Sequence, residues 1–283
     1  MKKYTVKDYK SKTKPIWCPG CGNYGILNAI YRALEQLQIP THKIGIISGI
    51  GCAGRLPGYM GTYGFNGVHG RVLPVATGAK MANLDNTIIA VGGDGDGYSI
   101  GAGHISHAAR KNIDITYIVM DNGIYGLTKG QASPTTPLGV ETKTTYYGNL
   151  GATFNPIRTL IAYKASFVAR IFSADIKHST DIIAKAITHR GFSFVEVLSP
   201  CVTFRGKDQY DYLREKSFYI PESYDPSNEV NAFDYANDED VLELGIIYKK
   251  SRPTYDEALE EVRIKAKKDG VPSKLGLLNN FEV

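Results

Sequence analysis

Long apolar runs are missing from this sequence, and no stretch approaches the roughly 20 residues that a membrane-spanning helix needs. The basic opening segment, MKKYTVKDYKSKTKPIW, has no apolar core and does not read as a secretory signal. Together these absences lead to the expectation of a cytoplasmic protein with no membrane partner. Cysteine is scarce. The four in 283 residues make a disulfide framework an unfavoured reading and leave a choice between buried thiols and metal ligands. Blocks of like charge are missing as well. The net charge of +5 comes from lysines spread along the chain, which reads as a solvated surface rather than a nucleic-acid footprint and leaves an acidic protein partner open. No internal repeat is present. What remains is ordinary globular composition, 43% hydrophobic and 22% charged, in a chain long enough for one large domain or two small ones.

The hydrophobic pattern alternates between two periods. YGILNAIYRALEQL, residues 24–37, sets Ile26, Leu27, Ile30, Leu34 and Leu37 on one helical face. KIGIISG then reads as a buried strand that breaks at GIGCAGR. RVLPVATGAKMANL reads as helical after Pro74, NTIIAVGG as a second strand, residues 101–111 as a helix and IDITYIVM as a third strand. SFVAR, STDIIAKAITHRG and FSFVEVL supply a strand, a helix with a Ser/Thr start and a glycine stop, and a further strand. Such alternation predicts an α/β fold with a mainly parallel sheet flanked by helices. Sheets of this kind bind ligands at the carboxyl ends of their strands. Four unusual segments, GIGCAGR, GGDGDG, DNGIYG and SPCVTF, each follow a predicted strand, and right-handed crossovers would bring all four to one edge. Beyond about Arg205 the pattern loosens. The expected organisation is an α/β domain over residues 1–204 and an extension, 205–283, that wraps the domain or a partner. LELGIIYKK there could form one more strand and TYDEALEEVRIKAKK an exposed helix.

The turn GGDGDGYSIG carries negative charge where a glycine-rich turn would ordinarily cradle a phosphate. It lacks a G-x-G-x-x-G in register and a Walker lysine. A hard cation lying between carboxylate and phosphate resolves the conflict, because Mg²⁺ takes oxygen ligands and commonly joins one or two protein groups to substrate phosphates. Asp94 can hold such an ion, and the next strand ends where the Asn122 amide oxygen and the Ile124 carbonyl can complete the set. The plain alternative is a turn built from common turn residues. The cysteines present a similar choice. Cys18 and Cys21 form a C-x-x-C turn, and Cys52 and Cys201 both follow predicted strands on the ligand edge. Spacing alone leaves zinc and an iron–sulfur cluster equally open.

As an ordered set, WCPGCG, GIGCAGR, HGR, GDGD, YGLTKGQASPT and SPCVTF resemble the β subunit of the 2-oxoacid:ferredoxin oxidoreductases, the pyruvate:ferredoxin oxidoreductase-like family. The likeness runs from about Lys14 to Phe204, and GIIYKKSRPTYDEA resembles the family's tail. GGDGD followed by DN also looks like the thiamine diphosphate signature. This resemblance implies a thiamine diphosphate-binding fold in which Asp94, Asn122 and the Ile124 carbonyl hold Mg²⁺. Gly95, Asp96, Gly126 and Leu127 would line the diphosphate, and Ile50, Gly51, Cys52, Ala53 and His69 would contact the cofactor from the facing side. Ala53 departs from the family, where serine is frequent. All four cysteines match ligand positions for a [4Fe–4S] cluster, and Cys52 would bring that cluster close to the thiamine ring.

The implied reaction is oxidative decarboxylation of a 2-oxoacid to acyl-CoA and CO₂, with coenzyme A taking the acyl group and electrons leaving through the cluster to ferredoxin. Thr128 and Lys129 are candidates for contacts near the substrate carboxylate, with a solvated loop lysine as the plainer alternative for Lys129. His104 and His107 read as helix surface or interface groups, Arg71 as a neighbour of the cluster or an ion-pair member, and the nineteen tyrosines as packing or interface. The resemblance implies that the glutamate that activates the aminopyrimidine sits on a separate pyrimidine-binding domain, and no second α/β set is expected in these 283 residues. Nor does the sequence contain a C-x₂-C-x₂-C-x₃-C-P run. The expected partner is therefore an α (or α/γ) subunit supplying that glutamate, and the chain alone should be inactive. Two other readings are a non-redox thiamine enzyme half with structural zinc and a non-catalytic, zinc-stabilised scaffold protein.

Overall fold

The computed structural model describes residues 2–237 and 241–270. Among the described residues, eight strands form one sheet: β1 Ile44–Ser48, β2 Tyr63–Asn66, β3 Thr87–Gly93, β4 Thr116–Asp121, β5 Phe167–Phe172, β6 Ser193–Leu198, β7 Ser217–Tyr219 and β8 Leu242–Lys249. Their order is β2-β1-β3-β4-β6-β5-β8-β7. All neighbours run parallel except β5 and β8. The α-helices that connect or flank them are α1 Asn23–Leu37, α2 Val72–Ala82, α3 Ala102–Lys111, α4 Pro156–Ala162, α5 Ile176–Thr188, α6 Gln209–Lys216, α7 Glu229–Tyr235 and α8 Tyr255–Asp269. The expected mainly parallel α/β architecture is therefore present. None of the described helices is long and apolar enough to cross a membrane.

The central strands are apolar along their whole length because they are covered on both faces. Successive side chains point to opposite sides, so each strand feeds two cores. Ile89 and Val91 of β3, Ile118 and Met120 of β4, and Val195 and Val197 of β6 join a core under α1 and α5. Ile88, Ala90, Tyr117, Val119 and Phe194 alternate with them and join the core under α2, α3 and α4.

Two helix starts differ from expectation. α2 begins at Val72, before Pro74, because a proline in the first turn gives up an N–H that has no intrahelical acceptor there. α5 begins at Ile176 rather than at the Ser179–Thr180 pair, since the Asp175 side chain accepts the His178 N–H and caps the helix earlier. Sequence reasoning also missed β2, whose side chains are all exposed, and the short helices α4, α6 and α7. The chain after Arg205 contributes β8 and β7 to the same sheet, and α8 starts with a Thr254–Glu257 capping box. Residues 271–283 of the expected extension lie outside the described residues.

β8 is tied in electrostatically. Buried Arg170 on β5 bonds Glu196 of β6 at 2.7 Å and Glu243 of β8 at 3.1 Å. Arg170→Met should lower stability by about 3–5 kcal/mol, since it leaves Glu196 buried without its cation. The shift in the urea unfolding midpoint measures this; an unmoved midpoint would show that the triad contributes no net stability.

Candidate active site

From β1 the chain goes outward to β2 and then returns to β3 on the other side of β1, so the order of strands reverses between β1 and β3. Such a reversal opens a crevice at the carboxyl ends of the strands. A cavity of about 520 Å³ lies there, walled by the segments after β1, β3 and β4. It brings together Ile50, Gly51, Cys52, Ala53, His69, Asp94, Gly95, Asp96, Asn122, Ile124, Gly126, Leu127 and Thr128. Of the remaining expected site residues, Lys129 sits at the exposed tip of the 125–131 turn and outside the cavity wall, with a positive φ of 84°. Cys18, Cys21 and Cys201 also lie outside that wall.

Asp96 organises the crevice. Its Oδ1 accepts the Ile50 N–H (3.0 Å) and the Gly70 N–H (2.8 Å) and contacts His69 Nδ1 at 3.0 Å. One buried carboxylate thus joins the loops after β1, β2 and β3. His69 Nδ1 carries the hydrogen toward this carboxylate, which leaves Nε2 as the ring's other polar atom. The chain leaves β3 through a single wide turn, Gly95–Ile100, of the kind that often marks functional sites. A side chain at Gly95 would run into the Tyr125 ring at 2.2 Å, and the Tyr125 hydroxyl donates to the Gly95 carbonyl at 3.1 Å. Gly51, with φ of 122°, turns the β1 loop where another residue would be strained, and nothing lies within 4 Å of the place where a Cβ would sit.

Asp94 is buried behind this turn. Thr135 Oγ1 lies 3.1 Å from Asp94 Oδ2 and 2.7 Å from Asp121 Oδ1. The hydroxyl has one hydrogen for two carboxyls. Burial, with the Asp94 charge next, pushes Asp121 well above the usual carboxylate range, so Asp121 is held toward its protonated form. Burial also raises Asp94, against the pull of the Ser133 and Thr135 hydroxyls. Among the described residues no Lys, Arg or His pairs with Asp94. A buried carboxylate with hydroxyl partners, no protein cation and an open cavity beside it suits a bound cation. The Asn122 Oδ1, which accepts the Ile124 N–H at 3.0 Å, shapes the adjoining turn.

The four cysteines are free thiols, Cys18 exposed and the others half-buried. The Trp17 indole N–H donates to the Cys52 carbonyl at 2.7 Å, and the Gly22 N–H donates to the Pro200 carbonyl at 3.1 Å. The first link ties the Cys18–Cys21 turn to Cys52 and the second ties it to the strand end before Cys201. A Cβ on Gly126 would sit 3.8 and 3.7 Å from the sulfurs of Cys52 and Cys201, so both sulfurs stand beside this glycine. Burial pushes the Cys21 thiol up to about 11, with Cys201, Cys52 and Cys18 adding to the rise. Cys21 therefore lies within electrostatic reach of the other three sulfurs. Among the described residues no three His, Cys, Asp or Glu side chains are already arranged to hold a single metal ion.

Asn23, Tyr125 and Gln131 also line the cavity, and Trp17 and Thr135 support it; sequence reasoning singled out none of them as individual site residues. Tyr125 and Gln131 lie within YGLTKGQASPT, and Trp17 precedes Cys18, so the motifs held the available signal. Thr128 gives its hydroxyl hydrogen to Gln131 Oε1 at 2.5 Å.

Asp96→Asn should cost about 1–3 kcal/mol, because the three donors converging on Oδ1 lose a charged acceptor. Urea unfolding measures the loss, and an unchanged midpoint would show that the loops close without the carboxylate.

Residues 49–197 match the family model of the thiamine pyrophosphate enzymes' C-terminal TPP binding domain, and residues 201–263 match the C-terminal family model of the pyruvate ferredoxin oxidoreductase beta subunit. The chain is 37% identical to a 2-oxoacid:ferredoxin oxidoreductase β subunit from Aeropyrum pernix, over 90% of this chain and 87% of that one. It is 44% identical to the corresponding β subunit from Saccharolobus solfataricus, over 74% and 70% of the two chains. A solved structure, 2-oxoglutarate:ferredoxin oxidoreductase from Magnetococcus marinus with 2-oxoglutarate, coenzyme A and succinyl-CoA bound, covers 100% of this chain and 97% of its own, with a TM-score of 0.94 and 40% identity. The topology, the crevice and these matches together place the chain among the β subunits of the 2-oxoacid:ferredoxin oxidoreductases, enzymes with a thiamine pyrophosphate-binding domain.

Proposed function

We propose that this protein forms the cofactor and redox half of an enzyme that oxidatively decarboxylates a 2-oxoacid to acyl-CoA and CO₂ and passes the electrons to ferredoxin. The observation that carries this reading is that Cys52 and the Asp94–Asn122–Ile124 set line one cavity within the segment matched to thiamine pyrophosphate enzymes. Asp94, Asn122 and the Ile124 carbonyl would hold Mg²⁺, and Gly95, Asp96, Gly126 and Leu127 would line the diphosphate. Ile50, Gly51, Cys52, Ala53 and His69 would face the cofactor from across the crevice. Thiamine diphosphate supplies an electron sink for the decarboxylated substrate. The protein's part is to fix its position, hold its charge and exclude water.

Cys18, Cys21, Cys52 and Cys201 would ligate a [4Fe–4S] cluster. What supports this reading is a set of four free cysteines in which Cys21 lies within electrostatic reach of the other three and Cys52 and Cys201 both stand beside Gly126. Their loading would release protons, because burial favours the thiol forms of Cys21 and Cys52. Thr128 lies at the cavity wall as the candidate substrate contact, and Lys129, at the exposed turn tip, would reach substrate only in the assembled enzyme.

An α (or α/γ) subunit would complete the site with the pyrimidine-activating glutamate. The extension from residue 205 supports the reading of a tail that wraps the domain, since β8 and β7 join its sheet. The bound molecules of the Magnetococcus marinus enzyme, and a 2-oxoglutarate oxidoreductase subunit of Mycobacterium tuberculosis that is 44% identical, make 2-oxoglutarate the first substrate to assay.

After anaerobic preparation the chain should show a broad visible absorbance that bleaches with dithionite, and about four irons. A colourless protein holding zinc would sink the redox reading and leave a non-redox thiamine enzyme half. Asp94→Asn should weaken calorimetric binding of thiamine diphosphate with Mg²⁺ by at least about 100-fold, because a directly coordinating charge is lost. Unchanged affinity would remove Asp94 from the metal site.

A further inference from the structure

One cation lies between the cysteine loop and the Asn122 turn, with no part in the function proposed above. The Arg205 N–H donates to the Cys201 carbonyl at 2.9 Å and so closes the turn that carries the cysteine. Its side chain is half-buried, and Nε is shut off from solvent with no hydrogen-bond partner among the described residues. A Cβ on Gly123 would lie 4.0 Å from this Nε, so the guanidinium passes directly beside the Asn122–Ile124 turn. It also lines a second cavity of about 370 Å³, together with Asp121, Asn122 and Gln209. Gln209 Oε1 accepts the Cys201 N–H at 2.9 Å, so both polar groups of the Cys201 backbone are taken by this wall.

The nearby cations are not equivalent. Arg170, on the same wall, is neutralised by Glu196 and Glu243. Arg55 lowers the Cys52 thiol electrostatically but stands exposed, where water screens it. Burial lowers the pKa of Arg205, opposed by Tyr212, Asp121, Cys201 and Asp208. The guanidinium stays charged because its ordinary value lies so far above neutrality. It is a fixed positive charge, partly stripped of water, between two of the site's loops.

We propose that Arg205 is an electrostatic positioning residue that raises the reduction potential of the centre held by Cys201. The proposal rests on the reading of Cys201 as a cluster ligand. Adding an electron to a thiolate-bound cluster increases its negative charge, and net charge and solvent exposure nearby are among the protein's main controls of potential. A partly desolvated cation favours the reduced form by more than an exposed one does.

The test compares wild type, Arg205→Gln, Arg205→Lys and Arg55→Gln in the assembled enzyme by anaerobic redox titration read by EPR, with iron counted in every sample. At a fixed potential, Arg205→Gln is expected to reduce the ratio of reduced to oxidised cluster roughly tenfold, equivalent to about 59 mV for a one-electron couple. Arg205→Lys should recover most of that change, and Arg55→Gln should move the midpoint much less. Should Arg205→Gln lose iron, Arg205→Met, which keeps the packing of the stem, is titrated in its place. An unshifted midpoint at full iron content, or an Arg55 effect equal to that of Arg205, overturns the proposal. Wild type without a cluster overturns the underlying reading instead, so the two failures are distinguishable.

Discussion

The crevice depends on one buried carboxylate. Asp96 Oδ1 takes the Ile50 and Gly70 N–H groups and faces His69, so that loops from three consecutive β segments share one acceptor. The strands alone do not set the distances between the tips of these loops. Charge makes the acceptor strong enough to hold several donors at once. Negative charge in a turn suited to phosphate therefore has two explanations in the same motif. Asp94 lies buried beside the cavity with hydroxyl partners and no protein cation among the described residues, and Asp96 ties together the loops that wall the cavity.

Around that clamp the structure keeps charge under control by burying it with partners. Thr135 lies between Asp94 and Asp121, and burial holds Asp121 toward its neutral form, which spares Asp94 a second full negative charge close by. Farther along the sheet, Arg170 draws Glu196 and Glu243 together and fastens β8 antiparallel to β5. The cysteine loops are positioned by uncharged links instead: the Trp17 indole on Cys52, Gly22 on Pro200 and Gln209 on Cys201. Backbone groups taken up in this way fix the loops while leaving the sulfurs available.

Much of this was legible from residue patterns. The alternation of strand and helix periods led to the parallel α/β sheet, because strands covered on both faces must be apolar throughout. The convergence of GIGCAGR, GGDGDG, DNGIYG and SPCVTF followed from connection handedness, and the first three do form the cavity walls. β2 was illegible because its side chains are all exposed and it pairs only at the sheet edge, so it carries no burial pattern. α5 starts at an Asp cap rather than at the Ser/Thr pair that composition favoured, a local competition settled by hydrogen-bond geometry.

The sequence by itself determined the sheet class and the edge on which the segments after β1, β3 and β4 meet, since periodicity and residue type are local properties. Only the tertiary structure decided which of two neighbouring aspartates became the clamp, that Asp121 and Asp94 share one hydroxyl, and that Lys129 stands outside the cavity while Arg205 lies between two loops. Those outcomes depend on the relative placement of segments far apart in the chain. Short-range hydrogen bonds and burial act on that placement, and no residue's local pattern records it.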